Sequence, residues 1–120
     1  MTQAASQYAA FAKDIARSMT VFTLRDAGGY PAHMNASGER AMPFWSSLAR
    51  VKKIIETVPA YANFEPEQIS WAKFRDEWLP ECKEEGLLIG VNWSGPRALG
   101  YDLPPDSVRE RIEHYLKKLD

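Results

Sequence analysis

Any chemistry in this 120-residue chain would have to come from few residues: His33, His114, Cys82, Arg97 and the acidic series Asp76, Glu77, Glu81, Glu84 and Glu85. Imidazoles can move protons or hold a metal, a thiolate can attack or ligate, and paired carboxylates can serve as acid and base. Their spacing assembles none of these. His33 falls in a loop and His114 on the last helix, neither at a metal-ligand spacing from a second ligand, so both read as surface polar residues. Cys82 has no histidine near it in sequence and lies on an apolar helix face, which predicts a buried, inert thiol. Ser94 precedes Gly95, but Asn92 occupies the place where a nucleophile elbow carries glycine, and the motif fails. Gly28-Gly29 lacks the further glycine, the lysine and the helix start of a phosphate-cradling loop. The acidic series reads as a solvated helix face. No catalytic residue, cofactor or metal is expected.

The aromatics stand above background, with Trp45, Trp71, Trp78 and Trp93 all in one small domain. Trp71, Phe74 and Trp78 recur at helical spacing and read as core. Trp45 and Trp93 each close a strand beside a turn or cap, where recognition surfaces tend to lie. The candidate binding residues are therefore Trp45, Asn92, Trp93, Arg97 and Tyr101, and Trp, Tyr and Arg are the types that dominate binding hot spots.

These residues need elements to hold them. Ile69 to Trp93 reads as an amphipathic helix, a stop and a buried strand. Trp71, Phe74, Trp78 and Cys82 form the apolar stripe, Ser70 caps it, Pro80 kinks it and Gly86 ends it. Beyond Gly86, the residues Leu87, Ile89, Val91 and Trp93 point one way, and Leu88, Gly90 and Asn92 the other. Upstream, Tyr8, Phe11, Ala12, Ile15 and Met19 mark a first helix. Val21–Arg25 and Ala41–Trp45 read as strands joined by a surface loop over Tyr30–Glu39, with Pro43 arguing for an edge or a bulge. Ser46 or Ser47 caps a helix carrying Leu48, Val51, Ile54, Ile55 and Val58 inward. Gln68 and Ile69 look strand-like. Leu99–Leu103 reads as the return of a hairpin, and Pro105 opens a last helix. The order α-β-β-α-α-β-β-α predicts an α+β single domain over residues 1–120. Its sheet is expected to be largely antiparallel, of four or five strands, with helices packed on it.

Composition sets bounds. The formal net charge of −1 gives no footprint for nucleic acid or an anionic membrane. One cysteine excludes an internal disulfide and fits a reducing compartment. The N-terminus lacks the basic and apolar regions of a secretory signal, and no run approaches the roughly 20 apolar residues that span a bilayer. A cytoplasmic location is the expectation.

Three stretches, Ala41–Ser47 (AMPFWSS), Phe74–Trp93 (FRDEWLPECKEEGLLIGVNW) and Gly100–Val108 (GYDLPPDSV), together resemble the domain of unknown function 2750 family. Shared features are a proline-tryptophan strand end before a helix, a Trp-Leu-Pro triplet, a glycine before a hydrophobic strand, and a proline opening the last helix. The resemblance implies a compact bacterial cytoplasmic domain and brings no activity or catalytic residues. Two functions follow as expectations. One is a non-catalytic module that holds another protein through the strand-end aromatics and the Gly28–Gly38 loop. The other is a small enzyme or ligand-binding protein with an anion-accepting pocket between sheet and helices, using Arg97 for the anion and Asp26 or Glu77 as base. The sequence sets no oligomeric state.

Overall fold

The computed structural model describes residues 3–35 and 37–119; Met1, Thr2, Ala36 and Asp120 lie outside them, Ala36 being one position of the expected Tyr30–Glu39 loop. The elements run α1 (Gln3–Ser18), β1 (Thr20–Arg25), β2 (His33–Met34), β3 (Arg40–Phe44), α2 (Leu48–Thr57), a 3-10 turn (Pro59–Tyr61) and β4 (Glu65–Ser70). Then come α3 (Trp71–Lys73), a π turn (Phe74–Trp78), α4 (Leu79–Glu84), β5 (Leu88–Ser94), β6 (Leu99–Leu103) and α5 (Pro105–Lys118). The α+β class holds, and β2 and a full β4 are added to the expected order.

β1 and β4 pair antiparallel, while β2, β3, β5 and β6 follow one another in a four-stranded mixed sheet. The pairs β2–β3 and β5–β6 are antiparallel, but β3 and β5 run parallel, with Phe44 beside Val91. The two sheets are joined where Phe22 and Trp45 exchange both backbone hydrogen bonds, at 2.8 and 2.7 Å. Pro43 lies inside this layer rather than at its edge. Its carbonyl accepts from Thr23 Oγ1 at 2.9 Å. In a strand the nitrogen projects to the same side as the carbonyl of the same residue, so the missing N–H faces away from β5 and no bond of that ladder is lost.

Side chains alternate across the layer and build two cores. Val21, Phe44, Ile89 and Val91 face Phe11 and Ile15 of α1, Trp71, Phe74, Leu79 and Cys82 of the 71–84 helical stretch, and Val108 and Ile112 of α5. Phe22, Leu24, Trp45 and Trp93 face Val51 and Ile54 of α2, with Val58 and Tyr61 beyond it. Local signals place the helices. Ser47 and Ser70 accept from backbone N–H groups of Arg50 and Lys73, and Gly86 turns the chain at φ +72°.

Two backbone irregularities set what each face shows. In the π turn, Leu79 N–H reaches back five residues to the Phe74 carbonyl, which leaves room for the Pro80 ring and its missing donor. The buried positions therefore step from Trp71 and Phe74 to Leu79 and Cys82, and Trp78 is only half-buried. In β5 the register against β6 slips between Val91 and Ser94, and Asn92 takes φ +48°. One extra residue inverts the alternation beyond it. Trp93 thus joins the second face rather than the face of Ile89 and Val91, correcting the simple in–out pattern.

Asn92 is buried, 1% exposed. Its Oδ1 accepts from the Ser46 backbone N–H at 2.9 Å, and its Nδ2 donates to Ser46 Oγ at 3.0 Å and to the Gln7 carbonyl at 3.2 Å. Ser46 Oγ donates in turn to Asp14 Oδ2 at 2.8 Å. Asn92→Ala leaves those groups unpaired and is expected to cost about 2–4 kcal/mol in denaturant unfolding. Ser46→Ala in the same background should be non-additive by more than about 0.5 kcal/mol; additive losses would deny the coupling.

Candidate functional site

On the second face α2 lies chiefly against β1, β4 and β5. Trp93 belongs to the same cluster as Val51 and Ile54 of α2. Its indole lies flat over two glycines. A methyl added at Gly90 would fall 2.4 Å from the ring, and one at Gly100 would fall 2.8 Å from Trp93 Cδ1. Glycine in these strands is the space the ring occupies. Trp93 Nε1 donates to Asp102 Oδ1 at 2.9 Å, and Asn35 Nδ2 donates to Asp102 Oδ2 at 3.2 Å. Both carboxylate oxygens of Asp102 are thus engaged in holding the ring and the β2 loop.

A hollow of about 310 Å³ opens beside the ring, lined by His33, Met34, Tyr61, Arg97, Leu99 and Asp102 among others. His33 packs its ring on Tyr61 at 5.6 Å. Burial pushes the Tyr61 phenol up to about 12, so it stays protonated at neutral pH. A second hollow, also about 310 Å³, has Trp93 in its wall with Arg50, Lys53, Ile54, Ser94 and Gly95. Arg50, Lys53 and Arg97 form no salt bridge among the described residues. The site is an aromatic plate between two shallow hollows with unpaired cations around it. It suits contact with an apolar group beside an anion.

A family model described as "Protein of unknown function (DUF2750)" matches residues 8–112. The chain belongs to the DUF2750 family. No curated protein and no solved structure matches it. The matched span of this DUF2750 domain runs from within α1 to within α5 and includes Asn92, Trp93 and the whole hollow.

The structure separates the five residues expected to bind. Trp93 and Arg97 share the hollow, but only Arg97 is exposed; Trp93 is buried, 8% exposed, and forms part of the wall. Trp45 is 0% exposed, its Nε1 donating to the Trp93 carbonyl at 2.9 Å. Asn92 is consumed by the tie to Ser46, so neither it nor Trp45 presents a surface; strand ends here bury their side chains because α2 and α1 close over them. Tyr101, opposite Val91 in register, packs edge-on against Tyr8 of α1 at 6.2 Å, on the other face from Trp93. Neither Asp26 nor Glu77 lines the hollow that Arg97 lines. Among the described residues no group of three His, Cys, Asp or Glu could hold a metal. Sequence reasoning missed His33, Met34, Tyr61, Leu99 and Asp102. The one available signal was Gly90 and Gly100 flanking a tryptophan in a hairpin.

Cys82 lies on the opposite face, buried and unpaired. Burial, with Glu85 and Glu81 adding, pushes its thiol up to about 11 from the ordinary 9.0. The folded chain therefore keeps a proton that the unfolded chain releases. This contribution to stability is full below about pH 9 and is lost as pH rises through about 11. Cys82→Ala should show a shallower fall of the urea midpoint across that interval than the parent chain; equal slopes would remove the effect. Gly90→Ala should cost about 1–3 kcal/mol by overpacking against the indole. The same change in a Trp93→Val background should cost less, as chemical denaturation of the four proteins will show.

Proposed function

We propose that this DUF2750 domain is a non-catalytic protein-binding or regulatory module that holds an extended segment of another protein beside the Trp93 hollow on its second sheet face. The observation that carries this reading is the apolar border of the Trp93 hollow, where Leu99 is 63% and Met34 61% exposed. Side chains of that size left in water beside a tryptophan-floored hollow lose little and gain much when covered. β6 adds to it. The strand pairs only with β5 among the described strands, leaving its outer edge for main-chain hydrogen bonds from an added strand. Arg50, Lys53 and Arg97 favour an acidic segment, because a carboxylate there would meet cations that no internal partner neutralises.

A cytoplasmic setting belongs to the same reading. A free, buried cysteine fits a reducing compartment. No helix of the described residues is long and apolar enough to cross a membrane.

The test compares what immobilised variants retain from a cell extract. Leu99→Asp and Arg97→Glu change exposed side chains and should leave thermal unfolding nearly unaltered while abolishing retention of any protein held by the parent. Leu119→Asp, just past the end of α5 and far in sequence from the hollow, should retain it. Equal retention by the parent and Leu99→Asp would refute the assignment of the surface.

A further inference from the structure

The opposite face carries a different hollow, about 330 Å³, lined by Tyr30, Met42, Trp78, Glu81, Cys82 and Glu85. Its volume is at the lower end of the roughly 300–1,000 Å³ of ligand sites. Two rings make a corner in it. Tyr30 and Trp78 stand at 84° with centroids 4.9 Å apart, and Phe44 backs Trp78 at 5.8 Å and 89°. The corner exists because of the π turn, which gives the buried position to Leu79 and leaves the Trp78 indole only partly covered.

The Tyr30 ring is fixed from outside the hollow. Its hydroxyl donates to Glu67, which also pairs with Arg25 at 3.1 Å. Glu81 lies on α4 and Glu85 four residues on, at its C-cap, and neither is in a salt bridge among the described residues. Lys83 between them is committed to Asp106 at 2.8 Å. No Lys, Arg or His lines the hollow. The ring faces carry negative potential, the two carboxylates add to it, and the methionine and thiol supply polarizable, uncharged walls. A metal ion would need more oxygen ligands and no aromatic wall. A cation with an apolar shell, which sheds water cheaply and rests on aromatic faces, matches every wall.

We propose that this hollow is a binding site for a quaternary or alkylated ammonium group, carried by a small molecule or by a methylated lysine side chain. The site is separate from the Trp93 face and does not depend on its function.

The test follows the Trp78 indole N–H resonance, assigned with Trp78→Phe, during titration of the full chain. Probes are choline, its uncharged isostere in which a quaternary carbon replaces the nitrogen, and a short peptide with trimethyl-lysine or unmodified lysine. Choline or the trimethyl-lysine peptide should saturate the signal, with the isostere much weaker; the tighter of the two cations tells whether the group comes from a small molecule or a protein. Tyr30→Leu, and Glu81→Gln with Glu85→Gln, should each weaken binding by about three- to thirtyfold. Tyr30→Phe, which keeps the ring, should bind within about threefold of the parent and shows that the loop is intact. The proposal is overturned if the isostere binds as tightly as choline, if Tyr30→Leu binds as the parent does, or if neither cation saturates by about 10 mM.

Discussion

The carboxamide of Asn92 is the tie on which the rest of the arrangement depends. Buried amides are tolerated only when both ends find partners, and here the two ends reach the β3–α2 junction through Ser46 and the first helix through the Gln7 carbonyl. The same residue takes the left-handed backbone conformation that asparagine accepts more readily than most residues. One position therefore adds a residue to the strand and closes three elements on each other. Had β5 continued without the bulge, Trp93 would have turned into a core already filled by Phe11, Phe44 and Ile112. The space over Gly90 and Gly100 would then stand open.

The helical stretch after β4 shows the same logic in α form. Proline inside a helix removes a donor and crowds the preceding turn. The chain answers by widening one turn rather than breaking, so the stripe that starts at Trp71 and Phe74 resumes at Leu79 and Cys82. Trp78 is displaced toward solvent against Tyr30. Two of the four tryptophans thus border hollows, one on each face, and each does so through a local departure from regular backbone geometry. Trp45 and Trp71 lie wholly in the core, and Trp93, 8% exposed, is also buried and meets its hollow only as a wall.

The hollows differ in charge. Arg50, Lys53 and Arg97 border the Trp93 plate, whereas Glu81 and Glu85 border the Trp78 corner. A formal net charge of −1 conceals this separation, because a sum over the chain carries no information about position. At physiological salt, charges beyond about 8 Å are largely screened, so recognition answers to the local set around each ring and not to the total. Membership in DUF2750 supplies no activity to choose between the faces; the distinction rests on their chemistry alone.

By itself the sequence determined what depends on neighbours along the chain. Helical spacing marked most of each buried stripe, but Leu48, at the first turn of α2, and Met19, past the end of α1, are exposed rather than inward. Ser46 or Ser47 and Ser70 announced the caps, of which Ser47 and Ser70 serve, Gly86 the stop, Pro105 the last helix, and Leu99–Leu103 the returning strand. The α+β class followed from their order. Only the tertiary structure decided that β3 lies parallel to β5, that Pro43 needs no edge, and that His33, Tyr61, Arg97 and Asp102 meet around Trp93. It also placed Tyr101 on one face and Trp93 on the other. The physical reason is that a strand side chain's face is a matter of counting residues. A single left-handed residue inverts that count, and what makes Asn92 left-handed is a set of hydrogen bonds to residues 46 and 85 positions away.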